Sequence, residues 1–220
     1  MTTNFCKGLR PGLYAITDSQ LTPADQLLEM VEAALRGGAV LIQYREKLAP
    51  AAERLSQARN LNAACNNAGV PLIINDDPQL ARRVGAAGVH LGQGDVALSE
   101  ARHLLGDDAI IGITCHDSLA LAKAATADGA DYLAFGRFFS SATKPGAPPA
   151  NTQVLAEARQ FGRPITAIGG ITVDNGAELV RGGADLLAVV GGLFGCPPIE
   201  AQARRFSALL AHYHPRLQAN

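Results

Sequence analysis

The chain has 220 residues, 48% hydrophobic and 18% charged, with a formal net charge of −1. That balance supports one sizeable core and excludes a strongly basic nucleic-acid surface. No apolar stretch approaches the ~18 uninterrupted residues of a membrane span, and Met1 to Arg10 lacks the apolar centre of a secretory leader.

Short apolar runs recur from one end of the chain to the other: Gly12–Thr17, Ala39–Gln43, Pro71–Asn75, Gly88–Leu91, Ala109–Thr114, Asp131–Phe135, Pro164–Ile168 and Leu186–Val190. Nearly continuous apolar runs of this length predict parallel strands buried on both faces. The segments between them carry helical periodicity. Leu27, Leu28, Val31, Ala34 and Leu35 fall on one face, and Leu55, Ala58, Leu61, Asn62 and Cys65 form a similar stripe. Glycines at 37–38, 85, 129 and 182–183 stand just before strands, where a left-handed residue ends the preceding helix. Eight strand–helix units predict an α/β protein, a single (β/α)8 TIM barrel over residues 1–220 with its core at about 11–213. The ends, Met1–Arg10 and His214–Asn220, are expected to be loose. An open doubly wound sheet is the competing architecture. It usually carries G-x-G-x-x-G after its first strand, whereas Thr17-Asp18-Ser19-Gln20 follows here.

In such a barrel, chemistry sits at the C-terminal ends of the strands. Those ends read Gln43-Tyr44-Arg45-Glu46-Lys47, Asn75-Asp76-Asp77, His90 to Asp95, Thr114-Cys115-His116, and a polar loop from Gly136 to Gly146. Arg45 and Lys47 follow the second run and Lys144 follows the sixth, so these cations could converge at one mouth. Asp76 and Asp95 end neighbouring strands, so both carboxylates can share one Mg²⁺ with a ligand phosphate. Asp77-Pro78 reads instead as a helix cap followed by proline in the first turn. His90 and His116 are read as hydrogen-bonding rings that orient neighbours. Gly169-Gly170 and Gly191-Gly192 close the seventh and eighth runs, the usual place for a phosphate in this fold. Cations, a divalent metal and two glycine loops together suggest two phosphate-bearing groups. The four scattered cysteines form no metal or redox pair and point to reduced thiols in the cytoplasm.

These stretches resemble the thiamine phosphate synthase family over nearly the whole chain. The matching segments are Leu13–Asp18, Ile42–Lys47, Leu72–Asp76, Gly88–Asp95, Thr143–Pro148 and Ala167–Ile171, in the family's order and spacing. The resemblance implies an enzyme that joins 4-amino-2-methyl-5-hydroxymethylpyrimidine diphosphate to 4-methyl-5-(2-hydroxyethyl)thiazole phosphate, with Mg²⁺, releasing pyrophosphate. It implies that Gln43 hydrogen-bonds the pyrimidine. Arg45, Lys47 and Lys144 would bind the diphosphate with help from Thr114. Asp76 and Asp95 would hold Mg²⁺ with Asn75 beside them. Ser141, Thr143, Gly170, Val190 and Gly191 would surround the thiazole phosphate. The chain departs from the family pattern at Ser140-Ser141, where Pro-Thr is usual, at Gly191, where Ser is usual, and at Tyr44.

A thiazole tautomerase shares the fold and the thiazole phosphate loops but has no need of the full Arg45, Lys47, Asp76, Asp95 and Lys144 set. A non-catalytic phosphate-ligand barrel has no need of the metal carboxylates. A sugar-phosphate isomerase would use Asp76 and Asp95 as an acid–base pair. The expected partners are small molecules rather than nucleic acid or membrane. The sequence leaves oligomeric state open, a homo-oligomer included.

Overall fold

The structure is a computed structural model that describes residues 3–140 and 150–218. Strands and helices alternate: β1 (Gly12–Ile16), α1 (Leu27–Arg36), β2 (Ala39–Tyr44), α2 (Ala51–Asn67), β3 (Leu72–Asn75), α3 (Pro78–Val84), β4 (Gly88–Leu91), α4 (Leu98–Leu105), β5 (Ile110–His116) and α5 (Leu119–Ala127). They continue as β6 (Tyr132–Phe135), α6 (Gln153–Ala158), β7 (Ile165–Ile168), α7 (Gly176–Gly182), β8 (Leu186–Val189), a one-turn α8 (Gly191–Phe194) and α9 (Ile199–Tyr213). Each strand pairs in parallel with the next, and β8 closes on β1. The apolar runs in the sequence coincide with these strands to within two residues at either end.

Alternation along each strand explains why both faces are apolar. Leu13, Ile42, Leu72, Val89, Ile111, Leu133, Ala167 and Leu187 point outward beneath the helices. Tyr14, Leu41, Ile73, Ile110, Tyr132, Leu186 and Ala188 point inward and fill the lumen. The lumen has little room for a tyrosine ring. Gly112 supplies it: a Cβ there would lie 1.9 Å from Cζ of Tyr132.

The helix stripes hold with one exception. Leu27, Val31 and Ala34 are buried on α1, but Leu28 is 39% exposed, at the edge of a stripe narrower than the sequence suggested. Asp77 caps α3 as expected, accepting from Leu80 N at 2.8 Å, with Pro78 in the first turn. The strand-entry glycines Gly38, Gly85, Gly129 and Gly183 all take positive φ.

The expectation of loose ends is corrected by the bottom of the barrel. Asp131 and Asp185 stand just before β6 and β8, and each clasps the preceding odd-numbered strand. The Asp131 amide donates to Ile111 O at 2.8 Å while its carboxylate accepts from Ile111 N at 2.8 Å. Asp185 does the same with Ile165, at 2.7 and 2.8 Å. Both carboxylates are buried and recruit the termini as partners. Lys7 Nζ lies 2.9 Å from Asp131, and buried His214 lies 3.1 Å from Asp185 through Nε2. Arg216 donates to Thr3 O at 2.6 Å, tying the two ends together.

Removing one partner of a buried polar pair strands the other. Asp185→Ala is expected to cost about 3–5 kcal/mol in urea unfolding at neutral pH. Asp131→Ala is expected to cost less, because Lys7 and Arg102 keep 23% and 19% side-chain exposure and can turn to water.

Candidate active site

The mouth is built at the C-terminal ends of the strands. Gln43 ends the inward row of β2, and its carboxamide is buried in the lumen. Asn75 ends β3, beside His90 on β4. Asp76 follows in the left-handed region, at φ +62°, a conformation that aspartate tolerates better than most residues. Its amide donates to His90 O at 2.9 Å, which ties the turn to the next strand.

Three of the expected site residues meet on this rim. Lys47 Nζ lies 2.9 Å from Asp76 Oδ2, and Asp76 and Asp95 share a hydrogen bond. Asp95 Oδ2 also accepts from Gly92 N at 2.7 Å. Burial opposes the charge of Asp76, but Lys47 and the hydrogen bond from Asp95 outweigh it, so its carboxyl lies below the usual range. Burial and the facing Asp76 carboxylate push Asp95 upward. The two carboxyl groups lie close enough to oppose each other's charge, and a divalent cation between them would relieve that repulsion. Among the described residues no group of three or more His, Cys, Asp or Glu side chains is placed to hold a metal ion. Asp76 and Asp95 could offer two hard oxygen ligands, a set that would suit Mg²⁺ if water and a bound anion completed it.

Arg45 turns the other way. Its Nη1 lies 3.4 Å from Asp18 Oδ2, just after β1, and its backbone amide donates to the Thr17 hydroxyl oxygen at 2.9 Å. Asp18 and Glu46 hold the loop of Arg45 and Lys47 in place, a role that the sequence reading did not assign to them. Glu46 Oε1 accepts from Ser19 Oγ at 2.9 Å, Leu48 N at 2.6 Å and Ala49 N at 3.0 Å. Burial raises this carboxyl, yet those donors overcome it and hold it below its usual range. One carboxylate thereby folds the loop that carries Arg45 and Lys47. Nothing in the local sequence separates such a clamp from a solvated loop charge.

Inside the mouth lies a row of polar side chains. Gln43 Nε2 donates to Tyr14 Oη at 2.6 Å, Tyr14 and Tyr132 hydroxyls are 2.8 Å apart, and Tyr132 Oη is 2.9 Å from His90 Nδ1. His90 Nε2 is 2.9 Å from Thr114 Oγ1, and Gln93 donates to Thr114 O. Burial raises both phenols far above their ordinary value, so both remain O–H donors. His90 therefore orients neighbours, as expected. His116 is exposed in a bulge of β5. Buried Cys115 is a packing residue, its thiol pushed up to about 12 by desolvation.

Gly170 stands on the loop after β7, and Val190 and Gly191 stand where β8 gives way to α8. Gly170 has φ +65°, and a Cβ there would lie 2.5 Å from Ser140 O. A Cβ on Gly192 would lie 2.1 Å from Ile171 O. These glycines are required by close approach of the β6, β7 and β8 loops, a packing role beyond the exposed amides that the sequence suggested. Ser141, Thr143 and Lys144 lie outside the described residues.

Comparison with known proteins agrees with this layout. A sequence model described as thiamine monophosphate synthase matches residues 13–193. The chain is 66% identical over 209 residues to a thiamine-phosphate synthase of Marinobacter nauticus, covering 94% of each chain. The chain belongs to the thiamine monophosphate synthase family. Its structure is similar to a thiamine phosphate pyrophosphorylase from Pyrococcus furiosus, with 30% identity, a TM-score of 0.83 and coverage of 92% of this chain and 96% of that one. A second pyrophosphorylase, from Bacteroides thetaiotaomicron, shares the fold at 16% identity, with a TM-score of 0.68 over 92% of this chain and 99% of that one. The family membership makes this barrel a transferase of thiamine biosynthesis. Among the described residues, no helix is long and apolar enough to cross a membrane.

The Glu46 clamp is testable without substrate. A carboxyl with a depressed folded pKa contributes while ionised and loses its effect as pH falls through that value. Glu46→Ala is expected to lower the hydrogen-exchange protection factors of Leu48 and Ala49 at neutral pH. In the parent protein the same protection should persist through the ordinary glutamate range and fade only as the pH falls below it.

Proposed function

We propose that this mouth couples the pyrimidine diphosphate and thiazole phosphate named above into thiamine phosphate and pyrophosphate. The observation that carries the reading is the rim cluster of Lys47, Asp76 and Asp95, a cation 2.9 Å from one of two facing carboxyl groups. That donor set fits Mg²⁺, which Asp76 and Asp95 would hold with Asn75 beside them. When bound, the ion would neutralise part of the diphosphate charge.

The remaining work falls to the chain's own residues. Gln43 hydrogen-bonds the pyrimidine at the top of the lumen. Arg45 and Lys47, held on one loop by Glu46, face the diphosphate together with Lys144 and Thr114. The bond between the pyrimidine methylene carbon and the diphosphate oxygen breaks with both electrons going to oxygen. The thiazole nitrogen supplies the new pair. Charge grows on the departing group, and fixed donors aimed at it lower the barrel's share of the barrier. Ser141, Thr143, Gly170, Val190 and Gly191 hold the thiazole phosphate so that its nitrogen is in line, a proximity effect. This substitution calls for no protein nucleophile, consistent with a buried, protonated Cys115.

The deciding assay incubates purified protein with both substrates, with and without Mg²⁺, and measures thiamine phosphate and pyrophosphate. Mg²⁺-dependent formation of both is expected, and failure to release pyrophosphate would sink the synthase reading in favour of a tautomerase. Lys144→Ala is expected to cut turnover by roughly 10²-fold, the scale of one lost transition-state donor. Asp76→Ala is expected to move the Mg²⁺ titration sharply to higher concentration. An unmoved titration would make Asp76 structural only.

A further inference from the structure

We infer that Tyr14, Tyr132 and His90 are positioning residues that form a one-way donor relay through the barrel lumen, fixing Gln43 as an acceptor and Thr114 as a donor at the mouth. What sits at the mouth rests on the synthase reading. The direction of the relay rests on the protein alone.

Five side chains from five strands are linked by four contacts of 2.6, 2.8, 2.9 and 2.9 Å, in the order Gln43, Tyr14, Tyr132, His90, Thr114. A hydroxyl has a single hydrogen, and a neutral imidazole has a single N–H. Tyr14 accepts from the Gln43 amide nitrogen and is 1% exposed, so its own hydrogen needs a protein acceptor. Among the described residues, the Tyr132 oxygen is the acceptor in reach. Tyr132, fully buried, then passes its hydrogen to His90 Nδ1, which must be bare. The hydrogen of His90 is therefore on Nε2 and goes to Thr114 Oγ1. Each choice forces the next.

The two ends of the relay then differ in polarity. Gln43 turns the nitrogen side of its carboxamide to Tyr14, which leaves the carbonyl oxygen, on the other side, for the ligand. Thr114 has accepted from His90 and keeps its own hydrogen to give. An acceptor at the end of β2 matches a ring amino group. A donor on β5 matches an oxygen of a departing diphosphate. A reversed relay would present N–H₂ to the amine and a lone pair to the anion, mismatched at both ends. Packing keeps the members aligned: the Tyr132 ring stacks on His90 at 5.6 Å between centroids and 20°, and meets Tyr14 edge-on at 5.9 Å and 86°.

Nitrogen-15 NMR of the ligand-free protein tests the direction, with His90 assigned by the signals lost in His90→Gln. Protonation on Nε2 with a bare Nδ1 is expected. A ring protonated on Nδ1, or on both nitrogens, would overturn the relay. Kinetics test the consequence. Tyr132→Phe keeps the ring and removes two hydrogen bonds. It is expected to lower kcat roughly 10- to 100-fold while leaving the KM for thiazole phosphate little changed. A wild-type kcat, or an equal rise in both KM values, would count against a positioning role. If Tyr132→Phe fails to fold, Tyr14→Phe cuts the relay one step earlier and is expected to give the same split. A parent protein that makes no thiamine phosphate would overturn the synthase reading, while its His90 tautomer would still decide the relay.

Discussion

Closing eight parallel strands into a ring sends every second side chain into one narrow lumen. That constraint governs the rest of the molecule. The lower lumen is filled with Leu41, Ile73, Ile110 and Leu186, which hold the ring closed by apolar burial. The upper lumen holds Tyr14, Gln43, His90, Thr114 and Tyr132, whose polar atoms find one another there. Tyr132 fits only because Gly112 beside it has no side chain. A glycine in a strand is usually a weakness. Here it lets a phenol reach the centre, where desolvation keeps it neutral and hence a donor. Packing and hydrogen-bond polarity are two outcomes of the same missing carbon atom.

The strands were legible because a buried parallel strand needs an apolar run and little else. The rim residues were legible because a polar cluster straight after such a run has few structural reasons to exist. Asp76, Asp95 and Lys47 converge as their positions suggested. What escaped the sequence depends on partners far along the chain. Tyr14 and Tyr132 are 118 residues apart, and each looks like an ordinary member of an apolar run. Asp131 and Asp185 look like turn residues, yet each satisfies a strand end and anchors a terminus. Lys7 and His214 sit in segments without periodicity, which reads as looseness until the buried carboxylates they meet are known. Glu46 is legible only once the loop it folds is seen from the side of Ser19.

Lys47 and Arg45 are already matched with carboxylates, and the strength of that matching decides whether they can serve a ligand. Lys47 keeps 55% of its side chain exposed and Asp76 keeps 30%. A pair so open to solvent is worth only about 0–1 kcal/mol, since water competes for both charges. The Arg45–Asp18 contact is longer, at 3.4 Å, and also partly exposed. Neither bond is strong enough to withhold its cation from an incoming polyanion. Both are strong enough, together with the Glu46 clamp, to keep two flexible side chains near the rim when no ligand is there. Weak pairing thus lowers the entropy lost on binding without adding an ion pair that is hard to break. A deeply buried partner would have made the opposite trade, giving a rigid cation that no substrate could claim.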